Sequence, residues 1–246
     1  MTAPVHDLET ERDGRSARWD DHREQRRRLI LDAAAAVVES LPPGAELNLQ
    51  DVADRAGVVH TVVRRHFGGR VELVRAVQAD VLVQAFALVS TPVDPTASLY
   101  DGVLVYIHEV VDWVDSHQSL HALVERELGD GEPSELNRAI ALHTDRLVEY
   151  TSQITEFLGI EPTDLHRAEW RLLFAGVIGQ VRATVSFWVA QRPRAVDADY
   201  VAAHLARTIS RQVADAVADL GLTIDPSLPI TSQAAQVVSE HSVFEH

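Results

Sequence analysis

His60, Thr61, Arg64 and Arg65 stand at i, i+1, i+4 and i+5, so on a helix they share one side. Their groups suit one kind of chemistry. An arginine fork makes paired, charge-assisted bonds to a guanine edge or a phosphate, and the imidazole and hydroxyl add shorter hydrogen bonds. A face of this size fits a DNA major groove. Other chemistries have little material. The chain has no cysteine, which excludes disulfides, thiolate metal sites and a cysteine nucleophile. All 22 basic residues are arginine, so no lysine Schiff base and no P-loop lysine exist. There is no G-x-S-x-G, H-E-x-x-H, G-x-G-x-x-G or Walker A segment. The reading is therefore not an enzyme. An all-helical hydrolase using His108 and Asp112, or a helical scaffold, is the alternative, and DNA duplex binding discriminates.

The elements that would position this face are short helices. Asn48 is a good N-cap, with Asp51 placed to answer it. A helix over 49–56 ends at Gly57, which suits a left-handed turn, and a second follows over 59–67 before Gly68 and Gly69. Val52, Ala53, Ala56, Val58, Val63 and Phe67 are apolar where such a pair must face a preceding helix. That preceding helix starts near Arg23 and carries Ile30, Ala33, Ala34, Val37 and Leu41 at helical spacing. This is a helix-turn-helix plan. Arg70 opens the next helix, where a side chain and free N–H groups could meet a phosphate. Arg26, Arg27 and Arg28 stand at the start of the first helix, where cations oppose the helix dipole. They are either solvated or form an Arg-rich arm that reaches phosphates or a minor groove.

The charge is uneven. The net charge of −15 argues against a basic coat, yet residues 76–246 carry −14 of it, and 59–75 carry four arginines against one acid. Residues 1–21 lack periodicity and read as a disordered arm, 22–75 as the helix-turn-helix domain, 76–222 as a helical domain and 223–246 as a flexible tail. Thr91 to Pro95 reads as a linker. Valine is abundant but helically spaced, with helices expected over 70–90, 96–117, 119–128, 134–158, 163–190 and 198–220, so the fold class is all-α. No run reaches the roughly 18 uninterrupted apolar residues of a membrane span, and the N-terminus has no apolar signal region. A cytoplasmic protein without a membrane partner is expected.

Residues 26–75, with Ile30-Leu31, Ala33-Ala34, Val52-Ala53, Ala56-Gly57-Val58 and Arg65-His66-Phe67, resemble the N-terminal domain of TetR-type transcriptional regulators. The resemblance implies a homodimer on a palindromic double-stranded operator, usually a repressor, released by a small-molecule effector held in the C-terminal domain. It places Gln50, His60 and Thr61 toward bases, and Arg64, His66 and Arg70 toward the backbone. Asn48 and Arg65 complete the candidate DNA set. The chain departs from the family pattern at Asn48, Val59, Thr61, Val62 and Arg64, which bears on operator and phosphate contacts.

The helical remainder offers two further surfaces. Ala175, Gly176, Gly179 and Ala183 make a small-residue stripe, and Leu205, Ile209 and Gln212 another. Together they suit a four-helix dimer interface. Leu104, His108, Val111, Asp112, His143, Tyr150, Trp170 and Phe174 are the candidate lining of an apolar effector pocket. His108/Asp112 and His117/His121 are spaced four apart, but such pairs are weak evidence for metal. Neither a metal nor a cofactor is expected.

Overall fold

The computed structural model describes residues 6–88, 96–157, 160–218, 220–221, 223–229 and 231–233. The described residues are helical apart from turns and one isolated bridge between Ser98 and Pro229. In chain order the helices are α1 (His6–Ser40), α2 (Leu49–Ala56), α3 (His60–Phe67), α4 (Arg70–Leu88), α5 (Leu99–Ser116), α6 (Gln118–Val124), α7 (Glu135–Phe157), α8 (Asp164–Ala190) and α9 (Ala198–Ala218). The expected linker from Thr91 to Pro95 lies outside the described residues.

The start of α1 near Arg23 is corrected to His6, so residues 6–21, read as a disordered arm, are helical. Asp, Arg and Glu supply most of that stretch, whose lack of apolar periodicity is why it reads as disordered. Arg26, Arg27 and Arg28 consequently sit well inside the helix, and the dipole argument does not apply to them.

The chain forms two compact units. The first takes in the described residues up to Val81 together with Ser119–Asp130; the second takes in Leu82–Gln118 and the described residues from Gly131 onward. The boundary expected at 75/76 is therefore displaced, and a segment assigned to the C-terminal domain belongs to the first unit. Its bonds explain why. The buried Gln78 amide donates to the Leu123 and Arg126 carbonyls at 2.8 and 2.9 Å, closing the open end of α6. Arg126 Nη2 donates to the carbonyls of Gly44 and Ala45, Ser119 Oγ donates to Leu41 O at 2.6 Å, and Arg75 pairs with Asp130. Leu120, Leu123 and Val124 are buried. None of this is visible in local periodicity, because every bond spans more than forty residues.

In the second unit α5 packs chiefly on α9 and α7 on α8. Ile107, Val111 and Val114 from α5 meet Val177, Val181, Val185 and Trp188 from α8 and Val201, Ala202, Leu205 and Ile209 from α9 in one cluster. Val148, Trp170 and Phe174 form another. Thr163 caps α8 in a reciprocal box with His166. Arg194 grips Asp115 through both terminal nitrogens, at 2.8 and 2.6 Å, and stacks 4.1 Å over the Trp188 ring. The guanidinium holds the Asp115 carboxyl below its usual range. Part of the expected tail is also anchored. Gln233 accepts from Asp225 N and donates to the carbonyls of Asp225 and Leu228, and Tyr100 N donates to Pro226 O at 2.9 Å. Residues 225–229 and 231–233 thus fold against the start of α5, which corrects their assignment to a flexible tail.

Candidate nucleic-acid interface

Asn48 adopts extended backbone and its side chain accepts from Gln50 N at 2.9 Å, starting α2 as expected. Gly57 has φ 63° and ψ 33°, and Val58 N donates to Ala53 O at 3.0 Å across the turn. That left-handed conformation costs a side-chain-bearing residue roughly 1 kcal/mol or more. Val52, Ala53, Val63 and Phe67 are buried, so α2 and α3 turn their apolar sides inward together. Val59 precedes α3 with no side-chain cap bond, leaving the first N–H groups of α3 unanswered by a side chain.

The outward side of α3 then follows from the helix period. Thr61, Arg64 and Arg65 are exposed, and His60 and His66 are half-buried. Among the described residues no carboxylate pairs with Arg64 or Arg65. Burial, and then Arg65, Arg23, Arg26 and Arg27, push the His66 pKa below its ordinary value. Gln50 is exposed, but its amide is taken up by Asp54 at 2.7 Å. Arg70 is exposed and paired with Glu46. Arg28 is held by Asp32 at 2.6 Å and by Asp80. The structure therefore brings His60, Thr61, Arg64, Arg65 and His66 onto one element, and gives Gln50 and Arg70 partners within the chain. Sequence reasoning left Arg23 out of the site and raised Arg27 only as one of three arginines open to an outside anion. The Arg27 guanidinium lies 4.7 Å over the Phe67 ring at the end of α3, a contact that no spacing announces.

The second unit places its candidates differently. Leu205 and Ile209 are buried in their own chain's core, against α5 and α8, which corrects their assignment to an interface between subunits. An apolar stripe shows that a helix side is covered, not which chain covers it. Gln212 donates to Gln180 of α8 at 3.2 Å. Ala175, Gly176, Gly179 and Ala183 are exposed, with Leu172 and Phe187 exposed by 76% and 70% on the same helix. By length and composition α8 is apolar enough to cross a membrane, a property the uninterrupted-run criterion missed because of Arg182.

The expected pocket residues do not converge. Val111 and Leu104 belong to the first core cluster, and Trp170 and Phe174 to the second. Asp112 and Tyr150 are exposed, and His108 approaches Asp199 at 3.8 Å rather than Asp112. His117 ends α5 beside Trp113, and His121 in α6 approaches Glu125 at 3.7 Å. Among the described residues no three His, Asp or Glu gather as metal ligands. His143 is the exception. It is buried, shares a 2.8 Å hydrogen bond through Nε2 with Tyr106 Oη, packs 4.7 Å from Phe86, and has no partner at Nδ1. Burial, with Arg146 as a lesser cause, lowers its pKa to about 4, so the ring is neutral at pH 7. Tyr106 was missed, although a tyrosine on an apolar helix needs a partner for its hydroxyl.

A helix-turn-helix with an unpaired basic face, carried on a chain whose remainder is helical, defines a class of fold. Similarity to solved structures agrees with it. A TetR-family transcriptional regulator from Streptomyces coelicolor aligns with 88% of this chain and 89% of its own at a TM-score of 0.61 and 17% identity. The fatty acid degradation regulator FadR from Bacillus halodurans covers 74% and 96% at 0.52 and 14%. RolR in complex with resorcinol covers 85% and 99% at 0.50 and 15%. The chain has the fold of TetR-family regulators. No protein-family model and no curated protein matches it.

Proposed function

We propose that the protein is a TetR-type transcriptional regulator that binds a palindromic operator as a homodimer, most simply as a cytoplasmic repressor released by a small effector. The observation that carries this is the face of α3. Arg64 and Arg65 stand exposed without carboxylate partners, beside Thr61 and His60, on a helix held by a glycine turn. Two such helices a helical repeat apart, roughly 34 Å, match successive major grooves. The dimer reading rests on α8, whose uncovered face of Leu172, Ala175, Gly176, Gly179, Ala183 and Phe187 offers close approach and apolar area to a second copy.

The effector reading rests on His143. Of the four polar anchors expected for a pocket it alone is buried, and its Nδ1 is unsatisfied. Leaving such an atom unpaired costs about 1–3 kcal/mol, which a ligand hydroxyl or carbonyl would recover. A neutral imidazole suits a neutral effector. The FadR and RolR structures are of regulators with this fold, the latter holding resorcinol, and support an effector domain here. The test is selection of bound duplexes from random DNA with the full-length chain. Enrichment of an inverted repeat supports the reading, and failure to retain any duplex above background overturns it in favour of an enzyme or scaffold.

A further inference from the structure

Arg23, Arg26 and Arg27 of α1 lie near the end of α3. Arg27 stacks on Phe67, the last residue of α3, and Arg23, Arg26, Arg27 and Arg65 all act on His66. Arg23, Arg26 and Arg65 are exposed and Arg27 is half-buried, and none has a carboxylate partner among the described residues. Their neighbours behave otherwise. Arg28, one residue on, is paired with Asp32 and Asp80; Arg70 is paired with Glu46, and Arg75 with Asp130. Acids pair with Arg28, Arg70 and Arg75, whereas no carboxylate among the described residues pairs with this cluster, in a chain with a net charge of −15. Like charges gathered without counter-charge repel, and an external anion relieves that repulsion.

We propose that Arg23, Arg26 and Arg27, with Arg65, form a second binding surface for DNA backbone phosphates beside the base-reading part of α3. The proposal rests on the operator-binding reading and adds to it which phosphates are held and by what. In helix-turn-helix docking the start of the recognition helix reads base edges. This cluster sits at the opposite end of α3, where cations also complement the helix dipole. The guanidinium fork matches phosphate oxygens in pairs. Stacking on Phe67 fixes the Arg27 plane before DNA arrives, so less side-chain freedom is lost on binding. Phosphate contacts carry no base information. The surface therefore raises affinity for every duplex alike.

The test uses full-length protein, a duplex recovered by selection and an unrelated duplex of equal length. Binding of the parent and of Arg23→Ala/Arg26→Ala is titrated from 50 to 300 mM salt. The expected result is a salt slope shallower by about 1 for each phosphate that the variant no longer holds, with the ratio of selected to unrelated affinity unchanged. Arg23→Glu/Arg26→Glu should bind more weakly still, and Arg27→Gln should behave as the alanine pair does. Methylphosphonate replacement, one phosphate at a time, should weaken the parent at positions where the alanine pair is indifferent. An unchanged slope and affinity, in protein whose Arg64→Ala variant does lose affinity, overturns the second surface and leaves the operator reading standing. A parent that binds neither duplex overturns both.

Discussion

Among the described residues each unit has an exposed helical face of distinctive composition, and the two faces are chemical opposites. On α3 the open side is Thr61, Arg64 and Arg65, cationic and unpaired. On α8 it is Leu172, Ala175, Gly176, Gly179, Ala183 and Phe187, apolar and small. Both helices bury their other side in the same manner, with Val63 and Phe67 on one and Val177, Val181 and Val185 on the other. The inner sides differ little because a core asks only for apolar volume. On the proposed reading the outer sides differ because their partners do: a polyanion supplies charge, and a second copy supplies area.

The comparison breaks most severely on the apolar side. Leu172→Asp with Phe187→Asp should turn a dimer into a monomer, since each truncation at the centre of an interface costs about 2 kcal/mol or more. Sedimentation at micromolar concentration reads this directly, and operator affinity should fall by about a thousandfold or more. The variant should keep its fold, because both side chains are exposed in the single chain. A parent that already sediments as a monomer would remove the contrast between the faces altogether.

The cationic side should give a smaller effect of another kind. Arg64→Ala with Arg65→Ala should leave the sedimentation pattern intact and weaken DNA binding by about 2–3 kcal/mol, with a flatter salt dependence. Fluorescence anisotropy across a salt series distinguishes this from loss of dimerisation, in which the weakening would depend on protein concentration.

A third measurement probes the interior of the second unit. His143 has a folded pKa of about 4 against 6.5 unperturbed. Above pH 6.5 it is neutral folded or unfolded and favours neither state. As pH falls toward 4, the unfolded ring takes up a proton that the folded ring refuses, so stability is lost across that window. By pH 5 the loss is about 2 kcal/mol. Urea titrations at pH 7 and pH 5 should show it in the parent and not in His143→Phe. The smallest effect belongs to Arg70. Its pairing with Glu46 is exposed, so Arg70→Ala should alter unfolding free energy by no more than about 0.5 kcal/mol.

The helix-turn-helix was legible because its determinants are local. Asn48, Gly57, Val63 and Phe67 each act within a few residues of their own position, and each acts in the structure as its type demands. Leu205 and Ile209 could not be placed, since periodicity marks a buried side without naming the helix opposite. The expected pocket lining was hard to place for the same reason: Val111, Trp170 and Phe174 are apolar side chains on the expected helices, and they pack into two core clusters. His143 was expected as a pocket anchor and is buried, but Tyr106, 37 positions away, is what shows that only one of its ring nitrogens is satisfied.

The return of residues 119–130 to the first unit has a consequence for the order of events during synthesis. A chain released only as far as Val81 still lacks Ser119, Leu123 and Arg126, and so lacks the groups that meet Leu41 O, the Gln78 amide and the Gly44 carbonyl. At about 5–20 residues per second, the missing stretch emerges several seconds later. Through that interval the first unit lacks the carbonyls of Leu123 and Arg126 that Gln78 meets and the buried Leu120, Leu123 and Val124 side chains. The unit closes only after residues 82–118 of the second unit have also been made, and a message truncated between those points yields an incomplete first unit.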